Sequence, residues 1–288
     1  MSEITNISKT VTWDDVKDDP NAIRISEYGF VVLKEVMGSD ATIAESARVS
    51  YGDGTKKTSN DRALIRYLIN HEHTSPLEMC EARFLISLPL FVSNQILRHR
   101  AANLNQLSGR YSIMPDEFFV PTELNIQSKD NKQGRAETVH REVSDKWAEG
   151  YAEVLETAKK HYDWAISEGI SREQARIGLP LSQFTQMYWK MDLHNLMHFL
   201  RLRMDPHAQQ ETRDYANAIY SLLKPRFPIA MEAFDDYKLH AKKFSRMEIE
   251  ILKSFIDPSL LLCKDFDSRC EKLGISKREL IEFVGKLS

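Results

Sequence analysis

The sequence predicts an α+β fold that is rich in helices. Segments with an apolar residue at every third or fourth position dominate the chain, which is typical of amphipathic helices. Only three short segments show the β-branched or alternating pattern of strands, and long helical stretches separate them. This layout is typical of α+β domains. With 288 residues, of which 42% are hydrophobic, the chain can bury a substantial core.

The N-terminal half contains two of these strands and most of the capping signals. Ser75, Pro76 and Glu78 stand where an N-cap, a first-turn proline and a capping glutamate mark a helix start. Residues 51–61 have the composition of a loop. The elements predicted here are a strand at 30–36, helices at 39–48 and 61–70, a helix from residue 75, a strand at 82–88, and a helix from 89 to 100.

The C-terminal half repeats the pattern of one strand among helices. Its predicted elements are a long amphipathic helix at 136–168, a short helix from residue 171 that ends at Gly178, a strand at 183–190, a helix capped by Asp192, and a helix from Asp205 to about Leu223. Beyond residue 241, apolar residues again recur at helical spacing. We therefore expect a polar N-terminal segment (1–20), one main domain (21–240) and a helical C-terminal extension (241–288).

Composition excludes several classes of protein. The net charge of -3 argues against a general nucleic-acid binder, which needs a net basic face. No run of about 18 uncharged apolar residues is present, so we expect no membrane span. The N-terminus is polar and acidic, unlike a secretion signal or a transit peptide. Three scattered cysteines (Cys80, Cys263, Cys270) form no disulfide framework, and we expect a cytoplasmic protein.

A cationic cluster is the first candidate site. Arg98, His99 and Arg100 are consecutive, and residues on a helix advance about 100° each, so the three side chains cannot share one solvated face. Taken alone, the cluster has a simple alternative explanation, since cations pair favourably with a helix C-terminus. However, a polar run to Tyr111 follows it and supplies further donors for phosphate oxygens and base edges, namely Asn103, Asn105, Gln106, Ser108, Gly109 and Arg110.

The pattern Arg98-His99-Arg100-x-x-Asn103-x-Asn105-x-x-Ser108-x-Arg110-Tyr111 resembles the defining motif of the flavin-dependent thymidylate synthases. Asn103 replaces a serine of that motif, and Gln106 replaces a glutamate. Four other segments match the family in order and spacing across residues 41–237: Ala47-Arg48-Val49-Ser50, His73-Thr74-Ser75-Pro76-Leu77-Glu78, Ala175-Arg176-x-x-Leu179-Pro180, and Leu200-x-Leu202-Arg203-x-Asp205-x-His207-Ala208-Gln209.

The resemblance implies a helix-rich single catalytic domain with a small, mainly antiparallel sheet. It implies the conversion of dUMP to dTMP, with 5,10-methylenetetrahydrofolate as carbon donor and NADPH as reductant through FAD. It also implies a homotetramer with sites between subunits, and no membrane or nucleic-acid polymer as partner. No cysteine stands in the Pro-Cys-His context of the other class of thymidylate synthase. The resemblance implies instead that an arginine stabilises negative charge on the uracil ring.

The resemblance also assigns roles to individual residues. Arg203 is the expected catalytic arginine. The residues expected to bind dUMP are Gln95, Arg98, Gln106, Ser108, Gly109, Arg110, Arg176 and Arg203. The residues expected to bind FAD are Ser50, Ser75, Arg98, His99, Arg100, Asn105, Gln106, Asp192, His194, His198 and His207.

Two other functions are compatible with parts of the sequence. His194 and His198 lie four apart on a predicted helix, so a metal-dependent hydrolase is one alternative, with His71, His73, His99 or His207 as further ligands. Asn195 stands where a zinc protease needs glutamate, which weakens this reading, and we expect no metal. The second alternative is a noncatalytic nucleotide-binding module, in which Gln106 marks a degenerate site. Gly52-Asp53-Gly54-Thr55-Lys56 lacks the spacing of a phosphate-binding loop.

Overall fold

A five-stranded antiparallel sheet carries the main core. The computed structural model describes residues 10–50, 60–129, 131–257, 261 and 264–287. Its strands are β1 (Ala22–Arg24), β2 (Phe30–Met37), β3 (Glu81–Pro89), β4 (Asn103–Gln106), β5 (Asn125–Gln127), β6 (Arg135–Thr138) and β7 (Phe184–Asp192). The sheet order is β1-β2-β3-β7-β4, and β5 pairs with β6 in a separate hairpin. The prediction of an α+β fold with a small antiparallel sheet is confirmed.

Thirteen α-helices lie in the described part of the chain. They are α1 (Trp13–Val16), α2 (Asp40–Arg48), α3 (Asp61–Asn70), α4 (Ser75–Glu78), α5 (Leu90–Ile96), α6 (Arg141–Ser167), α7 (Arg172–Ala175), α8 (Leu193–Arg203), α9 (Gln210–Leu223), α10 (Pro228–Phe234), α11 (Arg246–Phe255), α12 (Lys264–Lys272) and α13 (Lys277–Leu287). A 3₁₀ turn (Arg176–Gly178) and a π-helical turn (Asp235–Leu239) complete the set. Within these residues, none of the helices combines the length and the apolar character that crossing a membrane requires.

Both faces of the sheet are covered, which explains why β3 is buried along most of its length. On one face, Phe84 and Ile86 of β3 pack with Trp189 of β7 in the main core. On the other face, Leu85 packs with Phe30 in a smaller cluster, against which side chains of the N-terminal segment rest. Successive strand residues point to opposite faces, so a run of apolar residues such as 84–86 needs cover on both sides.

Several predicted boundaries are wrong. The helix that Pro89 opens ends at Ile96, so the Arg98–Arg100 cluster lies beyond it rather than in its last turn. Residues 103–106 were expected in a loop but form β4, because they pair with β7. The long helix begins at residue 141 instead of 136, since 135–138 form β6, and the helix expected from Asp205 begins at Gln210. The predicted loop at 51–61 lies mostly outside the described residues.

Helix α8 connects the core to the candidate site. Asp192 caps it by accepting a hydrogen bond from the Asn195 backbone at 2.9 Å, as the sequence predicted. Its apolar stripe, including Leu196 and Leu200, is buried in the main core. Arg203 is the last residue of this helix, so packing of the stripe fixes where its guanidinium group lies.

The C-terminal helices are attached to the main domain through α13. Glu279 accepts a hydrogen bond from Nε of the buried Arg66 of α3 at 3.0 Å. The guanidinium carbon of Arg278 lies 3.7 Å from the centre of the Tyr67 ring. These contacts tie residues 277–287 to α3, and residues 240–245 connect the π-helical turn to the start of α11.

Candidate functional site

Arg203 stands at the centre of a hydrogen-bonded group. Its Nε donates to Nε2 of His99 at 3.0 Å, and its Nη2 donates to the backbone carbonyl of Gln95 at 3.2 Å. No hydrogen bond joins Nη1 to any residue that the structure describes, so one edge of the guanidinium group can donate to a ligand. Burial lowers the pKa of Arg203, but a guanidinium group stays protonated across physiological pH. The arrangement therefore holds a fixed positive charge with a donor to spare.

His99 is held in its neutral form. Burial, the charge of Arg203 and the nearby His198 together lower the pKa of His99 to about 4. Because Nε2 accepts the hydrogen bond from Arg203, the ring proton must reside on Nδ1. The ring is also packed edge-on against Phe199 at 4.9 Å between centres. His99 thus acts as a neutral acceptor that orients Arg203.

A pH dependence of stability follows from this histidine. Its pKa is lower in the folded chain than the unfolded value of about 6.5, so the unfolded chain binds the proton more readily, and stability falls as pH drops through the range from 6.5 to 4. Between pH 7.5 and 5.0 the wild type should lose about 2 kcal/mol more of its free energy of unfolding than His99→Gln. Urea denaturation at the two pH values measures the difference, and equal losses in both proteins would contradict a neutral His99.

Gln95 is fixed from two sides. Its side-chain amide donates to Oε1 of Gln209, and its side-chain oxygen accepts from the Thr212 hydroxyl at 3.1 Å. Thr212 is fully buried on α9. The sequence indicated neither Thr212 nor Gln209 as part of the site, although Gln209 belongs to the Asp205-to-Gln209 segment that resembles the family. Their role depends on α5 and α9 packing together, which no local pattern reports.

A second group forms around Gly109. A Cβ atom at this position would lie 2.9 Å from Cδ of Arg176 and 2.9 Å from Sδ of Met114, so a larger residue would displace these side chains. Arg110 donates to Glu173 at 3.0 Å, and the Ser108 hydroxyl accepts from the Arg110 backbone at 3.3 Å. The structure therefore brings Arg176 to Gly109 and Arg110, which precede it by more than 60 residues in sequence.

These two groups remain separate within one chain. Among the described residues, no hydrogen bond joins the Arg203 group to the Gly109 group, and two cavities lined by Arg203 include neither Gly109 nor Arg176. Gln106 lies between them in sequence, at the end of β4, and its amide donates to the Thr185 hydroxyl at 3.3 Å. The residues expected to bind dUMP therefore form two half-sites.

The residues expected to bind FAD are partly gathered. A cavity of about 310 Å³ is lined by Arg98, His99, Arg100, Asn195 and His198, among others. His194 and His198 also face a neighbouring cavity of about 380 Å³. Asn195 was not predicted as a site residue, because the sequence analysis considered it only as the residue that stands in place of the glutamate of a zinc protease.

The other expected FAD residues lie apart from this cavity. Ser50, Ser75 and Asn105 are exposed. His207 is exposed as well, and its ring contacts the Asp205 carboxylate at 2.8 Å. Both carboxylate oxygens of Asp192 accept from Asn195, so this side chain is occupied as a helix cap. Their contacts with a flavin stay predictions.

The hydrolase alternative finds no support in this geometry. No group of three histidine, cysteine or acidic side chains could hold a metal ion among the residues that the structure describes. His194 and His198 share a helix face, but a third ligand does not join them there.

A small antiparallel sheet under helices, with cation-lined cavities at its edge, defines an α+β protein built to bind anionic ligands. Comparison with known sequences identifies the family. The profile of the family described as "Thymidylate synthase complementing protein" matches residues 32–229. A flavin-dependent thymidylate synthase of Dictyostelium discoideum is 45% identical over 242 residues, which cover 81% of this chain and 80% of that protein. The one of Wolbachia pipientis is 42% identical and covers 92% and 91%.

The chain therefore belongs to the flavin-dependent thymidylate synthase family, as its motifs predicted. Among solved structures, a UMP/dUMP methylase from Streptomyces cacaoi bound with 5-bromo-dUMP superposes with a TM-score of 0.66. It is 28% identical and covers 73% of this chain and 95% of that one.

Proposed function

We propose that this chain catalyses the reductive methylation of dUMP to dTMP. The carbon donor is 5,10-methylenetetrahydrofolate, and NADPH supplies the reducing equivalents through FAD. The observation that carries the proposal is Arg203, whose fixed charge keeps one donor edge available beside a cation-lined cavity. Family membership and the similarity to a methylase that binds a bromo-dUMP analogue support the same reaction.

Arg203 acts on the pyrimidine ring in this proposal. The C5 carbon of uracil becomes nucleophilic when negative charge develops on the ring, and a preorganised cation stabilises that charge without reorganisation. Neutral His99 and the Gln95 carbonyl hold the guanidinium group in place, so its charge is not neutralised by a neighbouring carboxylate. Arg203 would therefore favour the form of dUMP that accepts the carbon unit.

In this proposal, the Gly109 group binds the phosphate of dUMP. Arg110, Arg176 and the backbone around Gly109 provide cationic and amide donors, which suit a dianion. Because this group and the Arg203 group do not meet within one chain, we propose that a second copy completes each site, in a homotetramer. We also propose that residues 21–240 form the catalytic domain, that 241–288 form an extension, and that the enzyme works in the cytoplasm.

The cavity beside Arg98, His99 and Arg100 fits the phosphate groups of FAD. Its polar lining consists mainly of donors, since the guanidinium groups of Arg98, Arg100 and Arg203 stand beside Asn195 and His198, and none of the described lining residues is a carboxylate. Bound there, FAD would supply the redox step between NADPH and the transferred carbon. The role of this chain's residues is to bind the anionic part and to hold it next to Arg203.

An assay of the purified protein tests the proposal. With dUMP, 5,10-methylenetetrahydrofolate, NADPH and FAD, we expect dTMP to form, as measured by chromatography of the nucleotides. Omission of NADPH or of the folate should each stop the reaction. Tight binding of dUMP without any dTMP would favour the noncatalytic module instead.

A further inference from the structure

A cavity of about 380 Å³ lies beside the expected flavin site and has a distinct chemical character. Its floor is apolar, formed in part by Leu77, Met197 and Phe234. Its rim carries Arg201, Lys238 and Lys243. The three permanent cations face one carboxylate, that of Glu72. A pocket that is apolar below and cationic above suits a flat ring with an anionic tail.

The two lysines come from the end of the main domain and the start of the extension. Lys238 lies in the π-helical turn at residues 235–239, and Lys243 lies in the segment before α11. The π-helical turn is tied to both α3 and α13, because Arg66 binds Asp236 and Glu279 at the same time. The start of the extension therefore contributes to this cavity, because Lys243 forms part of its wall.

Glu72 is held in an unusual backbone conformation at the edge of this cavity. Its φ is 60°, in the left-handed region, at a helix end where glycine is the usual residue. The His73 backbone donates to the Leu68 carbonyl at 2.9 Å, which closes the end of α3. A non-glycine residue is strained in this conformation. In this position Glu72 forms an ion pair, since its carboxylate accepts a hydrogen bond from the Lys238 ammonium group at 2.8 Å.

We propose that this cavity binds the anionic end of a co-substrate that reacts with the flavin, and that Lys243, Arg201 and Lys238 recognise its charge. The inference rests on the proposed function, because that reaction needs two anionic co-substrates. The shared chemistry is a multiply charged group on a flat ring, either the 2′-phosphate of NADPH or the glutamyl carboxylates of the folate. His194 and His198 line the cavity and belong to the expected flavin site, so a ring bound here lies next to the flavin.

Glu72 is a positioning residue in this proposal. It neutralises Lys238 while the cavity is free of ligand, and it competes with an incoming anion for the same ammonium group. Removing its charge should strengthen anion binding, whereas reversing the charge of Lys243 should weaken it. Opposite effects from two changes at one cavity cannot come from partial unfolding, which weakens binding in both cases.

Isothermal titration of the flavin-loaded, full-length protein tests the proposal without turnover. The ligands are NADP⁺ compared with NAD⁺, and triglutamyl compared with monoglutamyl tetrahydrofolate. For the more highly charged member of one pair, Lys243→Glu should raise the Kd at least about tenfold. The reason is that a hydrogen bond between charged groups contributes more binding free energy than a tenfold change in Kd represents. Glu72→Gln should lower that Kd by about threefold or more. The pair that responds identifies the source of the anion.

Lys286→Glu is the matched control, since this exposed lysine of α13 undergoes the same charge reversal outside the cavity lining. It should leave every Kd within twofold. Unchanged binding in Lys243→Glu, an equal effect of Lys286→Glu, or weaker binding in Glu72→Gln would overturn the proposal. If the wild type forms no dTMP, the proposed function is wrong, but the binding results still test the cavity proposal. Normal dTMP formation with unchanged binding would remove the cavity proposal alone.

Discussion

Arg203→Ala is expected to fold and to retain its flavin, while kcat for dTMP formation falls by about 10²–10³. The expectation follows because the loss of a single preorganised donor to a developing negative charge costs about this much in other enzymes. Arg203 also bonds with His99 and the Gln95 carbonyl, so a small loss of stability should accompany the change. The measurement is single-turnover formation of dTMP, together with the flavin absorption spectrum.

Two further variants separate charge from geometry at this position. Arg203→Lys keeps the charge but cannot make both hydrogen bonds, so its rate should lie between those of the wild type and Arg203→Ala. Arg246→Ala removes an exposed arginine of α11 and should leave the rate unchanged. A near-normal rate in Arg203→Ala would rule out this arginine as the group that activates the ring.

Arg98→Ala is expected to give a protein that loses its flavin during purification. The wild type should be yellow, with the absorption bands of an oxidised flavin. Each charge-assisted hydrogen bond to a phosphate contributes about 1.5–3 kcal/mol, so the loss of one should weaken FAD binding by about tenfold to a hundredfold. Arg98 lines the cavity with His99 and Arg100, but it is exposed, so the fold should not depend on it.

His99→Ala should have a similar effect on flavin content and should in addition slow dTMP formation, because Arg203 loses the acceptor of its Nε. The matched control is Arg141→Ala, which removes an arginine with a side chain 93% exposed at the start of α6. Flavin content measured against protein concentration after gel filtration decides the result. Full flavin content in both Arg98→Ala and His99→Ala would contradict the assignment of this cavity to FAD.

Helices whose ends carry a local signal were predicted closely. Helix α3 spans the predicted residues 61–70, and α8 begins directly after the capping Asp192. Elements without such a signal were placed wrongly. Residues 103–106 contain no apolar alternation, yet they form a strand because β7 offers them a pairing edge. Residues 135–138 match the helix that follows in pattern, but they pair with β5 instead.

The candidate site shows the same division. The residues of the motif between Arg98 and Arg110 could be named from the sequence, because they resemble the defining motif of the family and are of types that bind phosphate. Their distribution over two groups could not, since it depends on which segments pack together. Thr212 and Gln209 were missed for this reason, as was Lys243, which lines a cavity together with residues far from it in sequence.

The sequence by itself determined the fold class, the family and most of the residues that hold charge. The fold class follows from local periodicity and capping, which act over a few neighbouring positions, whereas the family and its charged residues follow from motifs that resemble those of known members. The tertiary structure alone decided three other properties: Arg203 is held by a neutral His99, Gly109 lies against Arg176, and Lys243 lines a cavity beside the expected flavin site. Each depends on the burial and distance of residues far apart in the chain, and these are set by packing of the whole core.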